Sequence, residues 1–67
     1  MNAREIGTLI KVRRESLGID QLALSEIAGV AVHTLSNVEA GNGNPTVKSL
    51  NKVLDALGLE LRVDVLK

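Results

Sequence analysis

Residues 21–39, QLALSEIAGVAVHTLSNVE, contain two short amphipathic stretches separated by Gly29. The first stretch follows Asp20, a favoured N-cap residue, and places Leu24 and Ala28 at helical spacing. Gly29 can end this helix because glycine enters the left-handed C-cap conformation without steric cost. A second helical pattern then starts within about three residues. The sequence therefore predicts two short helices joined by a tight turn.

This helix pair predicts a DNA-reading function. Two helices joined so closely cross at a steep angle, which leaves the outer face of the second helix free. Leu35 and Val38 occupy its inward positions, so His33 and Asn37 point away from the core. A free helix of this size fits the major groove of DNA. The spacing is that of a helix-turn-helix.

Composition limits the chain to one domain with a modest aliphatic core. The 67 residues are 45% hydrophobic but include no aromatic residue and no cysteine. A core this small is marginal, and oligomerisation is a common remedy. The single histidine, His33, has no metal-ligating companions, and no catalytic constellation converges, so we expect no metal, no cofactor and no enzyme. Without a long apolar run or a signal-peptide pattern, the sequence predicts a cytoplasmic protein.

The formal net charge is +0, but basic residues cluster in two places. Arg4, Lys11, Arg13 and Arg14 lie in the first eighteen residues, and a lysine pair follows at Lys48 and Lys52. A chain with so few cations is expected to bind DNA with a shallow salt dependence, roughly 0.9 logarithmic units per neutralised phosphate.

Two further helices flank the central pair. The first is predicted over Ala3–Leu17, with Asn2 as N-cap, Glu5 as its capping-box partner and Gly18 as terminator. The last is predicted to begin after Thr46 and to stop at Gly58. Their predicted inward residues are Ile6, Leu9, Ile10 and Leu17 in the first helix, and Val47, Leu50, Val53, Leu54 and Leu57 in the last.

The last nine residues, LELRVDVLK, change to the two-residue period of a half-buried strand. The apolar positions are Leu59, Leu61, Val63 and Val65. A lone strand cannot satisfy its backbone groups, and no second strand is predicted elsewhere in the chain. Its simplest partner is the same strand of an identical subunit, paired antiparallel about a two-fold axis. The alternative is a frayed tail.

Residues 6–59 resemble the Cro/C1-type (lambda-repressor-like, XRE) helix-turn-helix domain. The tail LELRVDVL further resembles the HipB-like and Y4mF-like antitoxins of type II toxin–antitoxin operons, in which the C-terminal strands of two subunits pair. The family resemblance rests on Arg14, Gly18, Gln21, Leu24, Gly29, Val30, Thr34, Leu35, Glu39, Gly41, Pro45, Leu50, Leu57 and Gly58.

The resemblance implies an all-α, compact four-helix domain over residues 1–58 and a dimerisation strand over residues 59–67. It implies a homodimeric repressor of a palindromic operator in double-stranded DNA, and an antitoxin that represses its own operon and binds a toxin. Two alternatives stay open. One is a phage or mobile-element repressor without a toxin, and the other is a protein-interaction module that has lost DNA binding.

The resemblance also assigns residue roles. It places Val32, His33 and Asn37 at base-reading positions. The alternative for His33 and Asn37 is that they are merely solvated, and the alternative for Val32 is that it packs against the core. Arg14 and Glu39 match a partly buried ion pair between the first and third helices, and the apolar-stripe position of Arg14 independently requires a partner. The phosphate-binding candidates are Gln21, at a helix N-terminus, and Thr34, Asn42, Asn44 and Lys48.

The sequence departs from the family pattern at several positions. Ala31 stands where a capping Ser or Thr is usual, so that cap and its phosphate contact are in doubt. No Arg or Lys lies between Ala31 and Ala40, so strong guanine contacts are not expected from this helix. Leu22 and Ile27 replace residues that are usually polar. We expect them to pad the small core rather than form a partner surface.

Overall fold

The computed structural model describes residues 1–66 and forms four α-helices within them. These are α1 (Ala3–Ser16), α2 (Gln21–Ala28), α3 (Val32–Ala40) and α4 (Val47–Ala56). The predicted all-α, four-helix fold is confirmed. Among residues 1–66, no helix has the length and apolar character needed to cross a membrane.

Three of the four helices begin at side-chain caps that the sequence predicted. Asn2 accepts a hydrogen bond from the backbone N–H of Glu5 at 2.9 Å, and Asp20 accepts one from Ala23 at 2.8 Å. Thr46 does the same for α4, accepting from the N–H of Ser49 at 3.0 Å. Each cap satisfies a backbone donor that the helix itself leaves free.

The turn between α2 and α3 depends on Gly29. This residue has φ 72° and ψ 34°, the left-handed conformation that glycine adopts most readily. The N–H groups of Gly29 and Val30 both donate to the carbonyl of Ser25, at 2.9 and 3.1 Å. Val30 then packs against the core, which fixes the direction in which the chain enters α3.

Seven buried aliphatic residues from all four helices and the turn after α4 form the core. α1 packs mainly on α3, while α2 packs on both α3 and α4. The first helix of the predicted motif, α2, thus packs on α4, and the second, α3, packs on α1. The core residues are Ile10, Leu24, Leu35, Val38, Val53, Leu54 and Leu57.

Several predicted core residues are instead exposed. In α1 the buried row is Gly7, Ile10 and Arg14, with Ile6 beside it. Leu9 lies about 100° from Ile10 around the helix, and Leu17 is the C-cap residue beyond the last turn of α1. Both stay roughly half exposed, so the prediction that they face inward is wrong.

Three more apolar residues lie outside the core. Val47, the first residue of α4, is 63% exposed, so the prediction that it faces inward is wrong. Leu22 and Ile27 are 58% and 64% exposed, so the prediction that they pad the core is also wrong. Residues at helical spacing face inward only where another helix covers that side, and α2 is covered along Leu24 and Ala28.

Gly7 allows the closest approach of α1 to α3. A Cβ atom at this position would lie 2.2 Å from the carbonyl oxygen of Val38 and 2.7 Å from that of Glu39. These oxygens belong to the α3 backbone, so they cannot move aside as a flexible side chain could. The absence of a side chain at Gly7 therefore sets the distance between the two helices, a role that the sequence pattern did not indicate.

Replacing Gly7 with alanine is expected to destabilise the fold by about 2 kcal/mol, because the overpacking cost exceeds the gain in helix propensity. Urea denaturation followed by circular dichroism measures this change. Thr8→Ala is the control, since Thr8 is exposed on the same helix and its substitution is expected to change stability by about 0.5 kcal/mol or less. Equal denaturation midpoints for the two variants would contradict the close-approach role of Gly7.

The strand predicted for residues 59–67 is not formed in the single chain. Within residues 1–66 the structure contains no β-strand, and Lys67 lies outside the described residues. Leu59 packs against the chain's own core, whereas Val63 and Val65 are 96% and 92% exposed. The physical reason is that one chain supplies no second strand for the ladder hydrogen bonds.

Candidate nucleic-acid interface

The outer face of α3 carries the three predicted base-reading side chains. Leu35 and Val38 anchor the helix and are 0% and 5% exposed. His33 and Asn37 lie on the other side of the helix, where His33 is exposed and Asn37 partly exposed. Val32 is exposed at the edge between the two sides, about 60° from Leu35 around the helix. This arrangement places one apolar and two hydrogen-bonding side chains where a DNA groove can reach them.

His33 and Asn37 are hydrogen-bonded to each other. The amide Nδ2 of Asn37 lies 3.3 Å from Nε2 of His33, one helical turn away. An amide nitrogen donates and does not accept, so this bond requires a neutral imidazole with its proton on Nδ1. This bond leaves the Oδ1 atom of Asn37 and the second hydrogen of its amide group unused.

A small cleft of about 160 Å³ lies beside α3. It is lined by Thr34 and Asn37 from the helix and by Asn42 and Asn44 from the loop that follows. Three of the predicted phosphate-binding residues are thus next to one predicted base-reading residue. Lys48 does not line this cleft; it is exposed in the first turn of α4.

Arg14 and Glu39 form a bidentate ion pair between α1 and α3. Nε of Arg14 donates to Oε2 of Glu39 at 2.7 Å, and a second guanidinium nitrogen donates to Oε1 at 3.0 Å. The third guanidinium nitrogen donates to the carbonyl of Ile19 at 2.8 Å. Both side chains are at least nine-tenths buried, so the pair holds the fold together and leaves Arg14 poorly placed to reach a phosphate.

Gln21 extends this buried network. Its Nε2 atom donates to Oε1 of Glu39 at 3.1 Å, which ties the start of α2 to the end of α3. The sequence assigned Gln21 to a phosphate and did not predict this contact. The Asp20 cap also occupies one of the backbone N–H groups that a phosphate would use at this helix end.

The network also changes the acidity of Glu39. Burial favours the neutral acid and by itself raises the pKa of Glu39. Hydrogen bonds from Arg14 and Gln21, together with the positive charges of Arg14 and Lys11, outweigh burial and hold that pKa below its ordinary value. The carboxylate is therefore ionised at neutral pH and accepts all three hydrogen bonds.

Arg13 has a structural role that the sequence did not reveal. Its Nε atom donates to the carbonyl of Leu57 at 3.0 Å, just beyond the last turn of α4. A guanidinium at a helix C-terminus satisfies a free carbonyl and complements the negative end of the helix dipole. The sequence places Arg13 only in the basic cluster of the first eighteen residues, and it is the fold that brings this side chain next to α4.

Comparisons with known proteins agree with this geometry. The helix-turn-helix family model matches residues 10–63, most of the chain. The chain is also similar to the ImmF control region 10 kDa protein of Bacillus phage phi105, with 27% identity over 63 residues, covering 94% of this chain and 70% of the relative. The chain belongs to the XRE-type helix-turn-helix family of DNA-binding transcription regulators.

Proposed function

We propose that this protein is a homodimeric repressor that binds a palindromic operator through α3. The observation that carries this proposal is the outer face of α3, which presents two hydrogen-bonding side chains at the positions that the family resemblance assigns to base reading. Each subunit inserts this helix into the major groove of one half-site. The half-sites lie about one helical turn apart, or a multiple of it.

The contact that fits Asn37 best is with adenine. Because His33 accepts one amide hydrogen, the free Oδ1 and the remaining N–H of Asn37 form an acceptor–donor pair. Adenine offers the complementary donor at N6 and acceptor at N7 in the major groove. Val32 supplies an apolar surface for a thymine methyl group. The preferred half-site therefore contains an A·T pair facing Asn37.

The cleft beside α3 supplies the backbone contacts. Thr34, Asn42 and Asn44 surround it with neutral hydrogen-bonding groups, and Lys48 adds a charge nearby in sequence. Neutral donors can fix the register of the helix on the phosphates without releasing many counterions. This composition supports a shallow salt dependence of binding. Gln21 lies at the start of α2, where it can contact a DNA phosphate with its second amide hydrogen. Its first amide hydrogen is donated to Glu39.

Asn37→Ala is expected to weaken operator binding by roughly tenfold to a hundredfold, because a bidentate base contact is lost. His33→Ala is expected to have a smaller effect on affinity and to relax the preference for adenine at the same position, since Asn37 loses the bond that orients its amide. Fluorescence anisotropy with operator duplexes that differ at this base pair measures both effects. Asn51→Ala, on exposed α4 surface, is the control. Equal affinities for all three variants would reject this assignment.

Two biological settings fit this repressor, and different observations favour each. The tail resembles that of antitoxins that repress their own operon and bind a toxin. The similarity to a phage control-region protein favours a phage or mobile-element repressor without a toxin. A gene for a kinase-like or ribonuclease-like toxin next to this one supports the first setting, and a phage gene neighbourhood supports the second.

A mobility-shift experiment tests the proposal against an interaction module that has lost DNA binding. The probe is the promoter fragment upstream of the protein's own gene, at low salt. We expect a shift that a scrambled competitor of equal length does not remove. If a correctly folded dimer gives no shift, the exposed Leu22 and Ile27 become the main candidate surface, and the protein is an interaction module.

A further inference from the structure

An apolar groove of about 380 Å³ lies between α1 and the segment that follows α4. Leu9 and Val12 line it from one face of α1 and are 51% and 57% exposed. Leu59 and Leu61 also line it, and Leu61 is still 42% exposed. The chain's own tail thus forms one wall of the groove and α1 the other, and aliphatic side chains remain exposed on both walls.

One side-chain contact in the tail fits an extended backbone. Arg62 and Glu60 are two residues apart, and their charged groups lie 3.8 Å from each other on the same side. Residues two apart share a face in an extended backbone, so the odd-numbered residues form the other face. Leu59, Glu60 and Leu61 line the groove. In an extended tail, Val63 and Val65 share the face of Leu59 and Leu61, and in the single chain they are 96% and 92% exposed.

Charge determines how two such tails can pair. In an antiparallel pair with the two-fold axis at Val63, Arg62 lies directly opposite the partner's Asp64, and this ion pair occurs twice. With the axis at residue 62 or 64, the tails place two arginines or two aspartates opposite each other, which is destabilising. An axis at Leu61 pairs Glu60 with the partner's Arg62, but it leaves Val65 and Leu66 unpaired.

We infer that a second copy of this chain covers the groove, with the two tails paired antiparallel about Val63. This inference rests on the homodimer of the proposed function and on the tail pairing predicted from the sequence, and it adds the register of that pairing and its docking surface. Val65 of the partner subunit lies beside Leu61 and therefore covers Leu9 and Val12 of α1. A two-stranded ribbon is marginal alone, and packing against a helix stabilises it. In each subunit, the exposed face of α1 with Leu9 and Val12 is the helix surface on which the ribbon packs.

Single cysteines test the register, because the natural chain has none. In the Val63→Cys variant the two thiols face each other across the axis, with Cα atoms about 5 Å apart, within disulfide range. Mild oxidation of the full chain is expected to give a covalent dimer. In Leu61→Cys and Val65→Cys, the matched controls, the equivalent Cα atoms lie about 13 Å apart and are expected to stay uncross-linked. Rapid cross-linking of Leu61→Cys instead of Val63→Cys would overturn the register.

A pair of leucine variants tests the docking surface. Leu9→Lys is expected to raise the dissociation constant of the dimer by roughly tenfold or more, because it places a charge under the partner's tail. Leu22→Lys is the control, since Leu22 is similarly exposed, on α2, and does not line the groove. Analytical ultracentrifugation measures the dissociation constants, and circular dichroism checks that both variants are folded. Equal dissociation constants would show that α1 is not the docking surface.

Neither experiment contains DNA, so their outcome is separate from that of the repressor proposal. A dimer with the Val63 cross-link that fails to bind any promoter would remove the repressor and leave the interface standing. If the Val63→Cys chain binds the operator but does not cross-link, the proposed interface is wrong and the repressor proposal stands. A chain that stays monomeric at all concentrations would exclude a second copy as the occupant of the groove.

Discussion

Replacing Glu39 with alanine is expected to cost about 3 kcal/mol of unfolding free energy, since it leaves the Arg14 guanidinium buried without a counter-charge. The same substitution removes the acceptor for Gln21, so α1, α2 and α3 all lose a shared contact. Urea denaturation followed by circular dichroism measures the loss. A midpoint equal to that of the natural chain would contradict the structural role of this pair.

A double variant keeps this prediction testable if Glu39→Ala does not fold. Arg14→Met combined with Glu39→Leu removes both charges and keeps the volume apolar. Replacing a buried ion pair in this way is often neutral or stabilising, so the double variant is expected to be more stable than Glu39→Ala. If the double variant is no more stable than Glu39→Ala, the unpaired charge is not the cause of the loss.

Because the pKa of Glu39 is lowered, the stability that the Arg14–Glu39 pair contributes depends on pH. A carboxyl whose pKa is lower in the folded state stabilises the protein fully above its unfolded pKa, near the ordinary value of 4.5. This stabilisation is lost as the pH falls through the lower folded pKa. We therefore expect Glu39→Gln, which cannot titrate, to lose less stability than the natural chain between neutral pH and pH about 3. Parallel losses in the two proteins would contradict the assignment.

Removing residues 61–67 is expected to give a monomer and to weaken operator binding by roughly a hundredfold or more, because the second half-site contact is no longer held in place. The truncation ends after Glu60 because Leu59 packs against the core and its loss would disturb the fold itself. Sedimentation velocity gives the oligomeric state, and anisotropy with a full operator gives the affinity. The control is a half-site duplex, for which the truncated and full chains are expected to bind equally. A truncated chain that still sediments as a dimer would overturn the role of the tail.

Most of the fold follows from local sequence rules. The caps Asn2, Asp20 and Thr46 and the terminator Gly29 act through hydrogen bonds within a few residues, and a single sequence contains that information. The need of Arg14 for a partner was also foreseeable, because a charge on an apolar stripe is costly when unpaired, and the family resemblance implied that the partner is Glu39.

The remaining features depend on which elements become neighbours. Gly7 is a close-approach residue only because the last turn of α3 crosses it, and Arg13 is a cap only because α4 ends beside it. Leu22 and Ile27 fit the helical pattern of α2, yet no other helix covers their side. Periodicity identifies candidate inward faces but not the surfaces that cover them.

We propose above all that this protein binds a specific DNA sequence as a symmetric dimer. Selection of duplexes from a random library by the full chain at low salt, followed by sequencing, tests it most directly. We predict enrichment of a palindrome with half-sites about one helical turn apart and a conserved A·T pair at the same place in each. A folded protein that enriches no sequence, or only a single asymmetric half-site, would contradict the claim.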